Sequence, residues 1–186
     1  MTSVDAEQLP SPLHRLLLIR HAKSDYPFGV GDHDRPLNAR GRRDAPFIGS
    51  WIARNVPYPR DRRPLVLVSS ARRAQLTWEL ARNGLGDQWG QCEDRTEPRI
   101  YEAGLRTLLD LIGALPEDVG TAAIVGHNPT LRDAVAMTCP PDPLQLEATV
   151  KFPTSSVAVL TTALPWAEAT AASLGFRVEA FTVPRA

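Results

Sequence analysis

Two histidines and a set of arginines stand where short apolar runs stop. The run Leu16-Leu17-Leu18-Ile19 ends at Arg20-His21, the run Leu65-Val66-Leu67-Val68 ends at Ser69-Ser70 and leads on to Arg72-Arg73, and residues 122–125 end at Gly126-His127. Continuous apolar runs of this length fit strands buried on both faces. Imidazole at such a strand end can serve as a nucleophile, a base or a metal ligand, and guanidinium grips an oxyanion in two places. In a parallel sheet, ligands bind beyond the carboxyl ends of the strands. If these three strands are neighbours, two His and at least two Arg therefore share one rim. A helix starting near Ser70 also puts Arg73 in its first turn, where backbone N–H groups and the macrodipole favour an anion. The expected composite is a phosphate pocket.

Each piece has an ordinary structural reading: a hydrogen-bonded His, a solvated Arg pair, a strand-to-helix turn. Those readings must all hold at three strand ends at once for the pocket to be an accident. Two imidazoles could hold a transition metal, but no third ligand stands at a recognisable spacing and two guanidiniums would repel a cation. A serine hydrolase of the nucleophile-elbow type needs Gly-x-Ser-x-Gly, which is missing. What is left is histidine itself as the nucleophile toward phosphorus.

The elements that must position these residues alternate. After the first strand, a polar loop runs to about Asn38. Ala45, Ile48, Trp51 and Ile52 then recur at helical spacing, with Arg42, Arg43 and Asp44 on the other side, until Pro57 and Pro59. The second strand is followed by a helix over 73–83 with Gly84 as C-terminal cap. An extended piece is expected near 99–101, then a helix carrying Leu105, Leu108, Ile112 and Leu115 and stopped by Pro116, then the strand 122–125. Asn128-Pro129 reads as an N-cap followed by a proline at the first helical position. Two strands close the chain: a buried one over 156–160, and one in which Phe176, Val178 and Ala180 alternate with Arg177 and Glu179, suiting an edge with one wet face. The fold class is α/β, a three-layer sandwich with a mainly parallel central sheet and helices on both faces.

The same residues carry a resemblance. Leu18-Ile19-Arg20-His21-Ala22-Lys23-Ser24 resembles the Arg-His-Gly signature of the histidine phosphatase, or phosphoglycerate mutase-like, superfamily. Ser69-Ser70-Ala71-Arg72-Arg73-Ala74 is similar to its second-strand motif, and Val125-Gly126-His127-Asn128-Pro129 to its second-histidine motif. With Asp34-Arg35-Pro36-Leu37-Asn38-x-x-Gly41 between the first two, the likeness covers roughly residues 14–162 in order, and it is nearest to the short SixA-like phosphohistidine phosphatases. Three departures stand out: Ala22 for the usual Gly, Ser70 for Pro, and Leu76 where a Gln is usual, on the helix beyond the phosphate, where packing explains it.

The resemblance implies a phosphoglycerate mutase-like fold and a phosphatase that needs no cofactor or metal. His21 matches the nucleophile that is transiently phosphorylated, Arg20 and Arg73 match phosphate-binding arginines, and His127 matches the second His at the transferred group. The attack requires neutral His21, with one ring nitrogen free and the other N–H held by an acceptor such as a backbone carbonyl. Glu102 is the positional candidate for the acid that protonates the leaving group, with Asp25 the other, and Ser24 is expected to add a hydroxyl contact to phosphate. The chain is short, with no long insertion after the third strand where larger members build a lid, which implies an open pocket. The substrate is expected to be a phosphorylated protein, as phosphohistidine, or a small phosphate ester. A phosphomutase and a non-catalytic phospho-ligand binding protein on the same scaffold remain as alternatives.

Composition bounds the rest. Twenty-one basic and 21 acidic residues give a net charge of +0, which excludes a generally basic nucleic-acid binder. Lys23 and Lys151 are the only lysines, so 21 − 2 = 19 of the basic residues are Arg. Cys92 and Cys139 lie far apart in no metal-ligand spacing, which indicates neither a disulfide framework nor a zinc site. No apolar run is long enough to span a bilayer and residues 1–12 lack the features of a signal peptide, so no membrane partner and a cytoplasmic, soluble protein are expected. Residues 1–12 read as a flexible tail ahead of one domain over 13–186. Oligomeric state is not legible.

Overall fold

The apolar run 16–19 forms the middle of strand β1 (His14–Arg20), and its side chains divide between two faces. Leu16 and Leu18 enter one apolar cluster, Leu17 and Ile19 the other, as the period of two in a strand requires. Full burial of each of these side chains stabilises the fold by about 1.5–3 kcal/mol. The structure, a computed structural model, describes residues 13–58, 62–86, 89 and 92–186. The expected tail over 1–12 and Pro59 lie outside the described residues.

Strands β2 (Arg63–Ser69), β3 (Glu93–Glu97), β4 (Val119–Gly126), β5 (Val157–Thr162) and β6 (Arg177–Thr182) join β1 in a sheet of order β3-β2-β4-β1-β5-β6. The pairs β2·β3, β2·β4 and β1·β4 are parallel, while β1·β5 and β5·β6 are antiparallel. Helices α1 (Ala39–Asn55) and α2 (Arg72–Arg82) cover one face, where Ile48, Ile52, Trp78 and Ala81 pack on Val66, Val68 and Val125. The other face carries α3 (Leu105–Gly113), α4 (Thr130–Thr138), α5 (Pro143–Val150) and α6 (Trp166–Ala171). Leu108, Ile112, Leu131, Val135 and Trp166 fill that layer. The result is an α/β sandwich with a mixed, mostly parallel sheet.

Several elements depart from the sequence reading. The third strand is Glu93–Glu97, and residues 98–100 are a turn of 3-10 helix. This strand, EDRTE, is mostly exposed, so no hydrophobic period marks it; it pairs with β2 on one side only, and Glu93 and Asp94 add ion pairs to Arg63 and Arg82. Helices α5 and α6 were not expected. Asp142 caps α5 by accepting from the Gln145 N–H at 2.8 Å, with Pro143 opening the helix. Asn128 does not cap α4. Pro129 occupies the N-cap after a cis Asn128-Pro129 bond, and the Asn128 side chain donates to the Phe152 carbonyl instead.

Two readings along α1 and α2 also change. Asp44 is buried and ion-paired with Arg40 rather than standing on the solvent side. Gly84 is not a left-handed cap; Asn83 ends α2 in right-handed geometry, and a Cβ at Gly84 would lie 2.4 Å from the Pro46 carbonyl oxygen. The glycine is there for close helix contact.

What the fold does for function is set by register. Arg20 of β1 pairs with Gly126 of β4, and Val68 of β2 with Val125. The three apolar runs thus end side by side, with β4 in the middle, and His21 and His127 emerge next to each other.

Candidate active site

His21 follows the last residue of β1, and its own N–H donates to the Gly126 carbonyl at 3.1 Å. Its ring is buried, and Nδ1 lies 2.7 Å from the Ala22 carbonyl oxygen. A carbonyl only accepts, so Nδ1 carries the proton and Nε2 keeps a free lone pair. Burial pushes the His21 pKa down to about 3; the Ala22 carbonyl opposes this, and His127, Arg73 and Arg20 add to it. The imidazole is neutral at pH 7.

Ala22 is itself fixed. Its N–H donates to Thr77 Oγ1 at 2.9 Å, and that hydroxyl donates to the Arg73 carbonyl at 2.6 Å. The main chain that orients His21 is therefore tied to the first turn of α2. Leu76, at the position of the usual Gln, packs in a small apolar cluster with Ala22, Leu37 and Ala45 beneath this loop.

His127 faces His21, with ring centroids 5.1 Å apart. Its Nε2 lies 2.8 Å from Ser69 Oγ, which also accepts from the Ala71 N–H. With the Ser69 hydroxyl donating to Nε2, the imidazole proton stands on Nδ1, on the opposite side of the ring. That Nδ1 is buried and has no partner among the described residues. Burial first and then Arg73 lower the His127 pKa, Asp32 opposes them, and the outcome is about 4.

Arg20 and Arg73 border this pair. Arg20 Nη1 donates to the Phe152 carbonyl at 2.7 Å, while its Nε is buried without a partner. Arg73, not the exposed Arg72, is the buried member of its pair and stands in the first turn of α2, whose N-cap Ala71 offers no side chain to the orphan N–H groups. Orphan donors on Arg20 and His127 beside a free Nε2 on His21 suit a tetrahedral oxyanion. Among the described residues, no group of three or more His, Cys, Asp and Glu is placed to hold a metal ion.

One wall was not foreseen. The loop after β1 carries a short 3-10 turn over Asp32–Asp34 that docks on the site. The Asp32 carbonyl and carboxylate accept from Arg73 Nη1 and Nη2 at 2.6 and 3.0 Å. The same carboxylate accepts from Arg35 at 2.7 Å and from the Tyr101 hydroxyl at 2.9 Å, and the Arg35 bond chiefly lowers its pKa, to about 2. His33 Nε2 meets Ser70 Oγ at 3.0 Å, and Tyr101 stands edge-on to both His33 and His127. No residue type or spacing points to Asp32 or Tyr101, because each reaches the site by loop docking across 41 and 69 residues of sequence separation.

The remaining candidates make no hydrogen bond or ion pair with Arg20, His21, Arg73 or His127 among the described residues. Ser24 is buried, and its Oγ accepts from Arg35 Nη2 at 2.6 Å rather than facing the arginines of the site. Glu102 is exposed in the turn after the second 3-10 segment and makes no hydrogen bond or ion pair among the described residues. Asp25 is exposed, its carboxylate accepting from the Tyr26 N–H. The motif Asp34 to Gly41 supports the frame: Asn38 caps α1 on the Gly41 N–H at 2.9 Å, and Gly41 lets α1 approach the Lys23 main chain.

Comparison with known proteins gives the family and the fold. Residues 16–111 match the model of the histidine phosphatase superfamily, branch 1. The uncharacterised protein Rv1276c of Mycobacterium tuberculosis is 39% identical over 167 residues, covering 86% of this chain and 99% of that protein. The structure of SixA from Nakamurella multipartitia, described as a candidate phosphohistidine phosphatase, superposes with a TM-score of 0.80 at 27% identity, covering 95% of this chain and 99% of its own. SixA from Agrobacterium tumefaciens gives 0.71 at 30% identity, with 95% and 100% covered. No helix among the described residues is long and apolar enough to cross a membrane. With the family model matched over residues 16–111 and a relative 39% identical over 86% of its length, the chain belongs to the histidine phosphatase superfamily.

Proposed function

We propose that this protein is a phosphatase that hydrolyses a phosphorylated substrate through a phosphohistidine on His21, without a metal. The observation that carries the reading is the His21 ring, held neutral with Nδ1–H on the Ala22 carbonyl so that Nε2 is the free nucleophile. In the first step Nε2 bonds to phosphorus and the bond to the leaving group breaks. Arg20, Arg73 and His127 would stabilise charge on the three peripheral oxygens. In the second step water attacks the same phosphorus, the P–N bond breaks, and inorganic phosphate leaves with His21 restored. Family membership supports the phosphatase chemistry, and the SixA relatives make phosphohistidine on a protein one candidate substrate, beside small phosphate esters.

Glu102 is the proposed acid for a poor leaving group: it follows Tyr101, whose ring borders His127. Ser24 would act at one remove, holding Arg35 against Asp32 and so Asp32 against Arg73. The test is release of phosphate from an aryl phosphate and from a phosphohistidine peptide in the presence of a chelator. His21→Ala is expected to lose at least about a thousandfold in kcat while keeping its circular dichroism spectrum. Full activity in that variant would refute the assignment. Glu102→Gln should cost more with an alkyl phosphate than with an aryl phosphate, and an equal cost on both would remove Glu102 as the acid.

A further inference from the structure

The fold brings the chain's only two lysines to one place. Lys23, two residues past His21, and Lys151, between α5 and β5, line an open cleft of about 400 Å³ with Arg20 and Arg132. Nine residues line it, of which these four are cationic and none carries a carboxylate. Arg132 pairs with Asp133 at 2.8 Å, but Lys23 and Lys151 have no carboxylate partner among the described residues. Two cationic side chains left unpaired beside a third that is partly buried make a local positive field in a protein of zero net charge.

The cleft is built rather than incidental. Its floor includes Arg20 and Asn128, both pinned by one acceptor: the Phe152 carbonyl takes Arg20 Nη1 at 2.7 Å and Asn128 Nδ2 at 2.9 Å. Fixing those ends leaves Arg20 Nε, an N–H donor suited to an anion, buried and unpartnered among the described residues. Buried polar atoms without partners are uncommon and call for a ligand or a water. Arg20 is also one of the two arginines of the phosphoryl site, so the cleft and that site share a wall.

We propose that this cleft is a second anion subsite, and that the substrate is a small phosphate ester carrying a further phosphate or carboxylate. The transferred phosphoryl would sit on His21 among Arg20, Arg73 and His127, with the second anion on Lys23 and Lys151 on the other side of Arg20. The inference rests on the phosphatase reading for the identity of the first site and chooses between the two substrate classes left open above. The volume fits part of a small molecule, and lysines with mobile heads suit an anion whose position varies with the substrate backbone.

The test uses phosphonates, which are not hydrolysed, so its result does not depend on turnover. Propylphosphonate, 3-phosphonopropionate and alkane bisphosphonates of increasing chain length are titrated calorimetrically into the full chain at low ionic strength. At least one ligand with two anionic groups is expected to bind about tenfold or more tightly than propylphosphonate. In Lys23→Gln/Lys151→Gln that advantage disappears while propylphosphonate affinity is unchanged, which also shows the variant to be folded; Lys151→Gln alone, at an exposed position, gives a partial loss. Equal affinity for all ligands, or an advantage that survives in the double variant, overturns the subsite. Failure of the wild type to release phosphate from any ester or from a phosphohistidine peptide, with the bisphosphonate advantage intact, would instead remove the phosphatase reading and leave the subsite standing.

Discussion

At the scale of single residues, the His21 environment is arranged to keep an imidazole uncharged. Burial is the largest effect, and the cationic neighbours Arg73 and Arg20 act in the same direction. A histidine with a pKa near 3 does not protonate on the acid side of neutrality, so the nucleophile persists where an ordinary imidazole would be lost. Because kcat/KM reports the free enzyme, the profile for an aryl phosphate, corrected for ionisation of the substrate, should stay flat to within about twofold between pH 7 and pH 5. A limb centred near 6.5 would mean that His21 titrates like a free side chain, and the electrostatic account of the site would fall. Arg20, His21 and His127 were legible in the sequence because each stands at or just past the end of an apolar run, and Arg73 because it matches the second-strand motif of the family. Asp32, Thr77 and Tyr101 were not, since their place depends on how a loop docks and a helix turns, and neither leaves a period in the sequence.

Elements obey the same division. Strands β1, β2 and β4 are buried on both faces and read as apolar runs, whereas β3 is a polar edge paired on one side, so its backbone bonds and not its side chains define it. The short helices α5 and α6 rest on local capping and on burial of Trp166, whose indole N–H donates to the Val119 carbonyl. Two glycines of α1 separate structural from functional packing. A Cβ at Gly49 would lie 1.8 Å from the Ala81 carbonyl oxygen, and one at Gly41 would lie 2.1 Å from the Lys23 carbonyl oxygen. Both contacts are with main chain, so both alanine variants should lose about 1–3 kcal/mol of stability. Only Gly41→Ala displaces the segment two residues from His21, and it alone should lower kcat/KM in addition to the melting temperature. If Gly41→Ala melts and turns over like the wild type, the close approach does not constrain the signature loop.

For the whole molecule, zero net charge conceals an uneven response to acid. His21 and His127 are buried neutral, and His14 is also held below its ordinary pKa, first by burial and then by Arg62. Unfolding frees all three to bind protons at the ordinary value near 6.5. As pH falls below that value the unfolded chain takes up protons that the native state does not. Stability therefore declines from about pH 6.5 toward the native values of about 3 and about 4 for His21 and His127, and these groups take no further share below them. The paired carboxylates act elsewhere: Asp32 keeps its charge until about pH 2, and Glu97 and Asp118 are likewise held below their ordinary values by Arg99 and Arg63. The interval from pH 6 to pH 5 thus isolates the histidines. Within it each should contribute a slope of up to about 1.4 kcal/mol per pH unit, measured as the fall in unfolding free energy from urea titrations. His21→Ala/His127→Ala should show a shallower slope than the wild type whatever its absolute stability. Identical slopes would mean that the two imidazoles accept protons in the folded protein as readily as in the unfolded chain, which burial beside two guanidiniums does not allow.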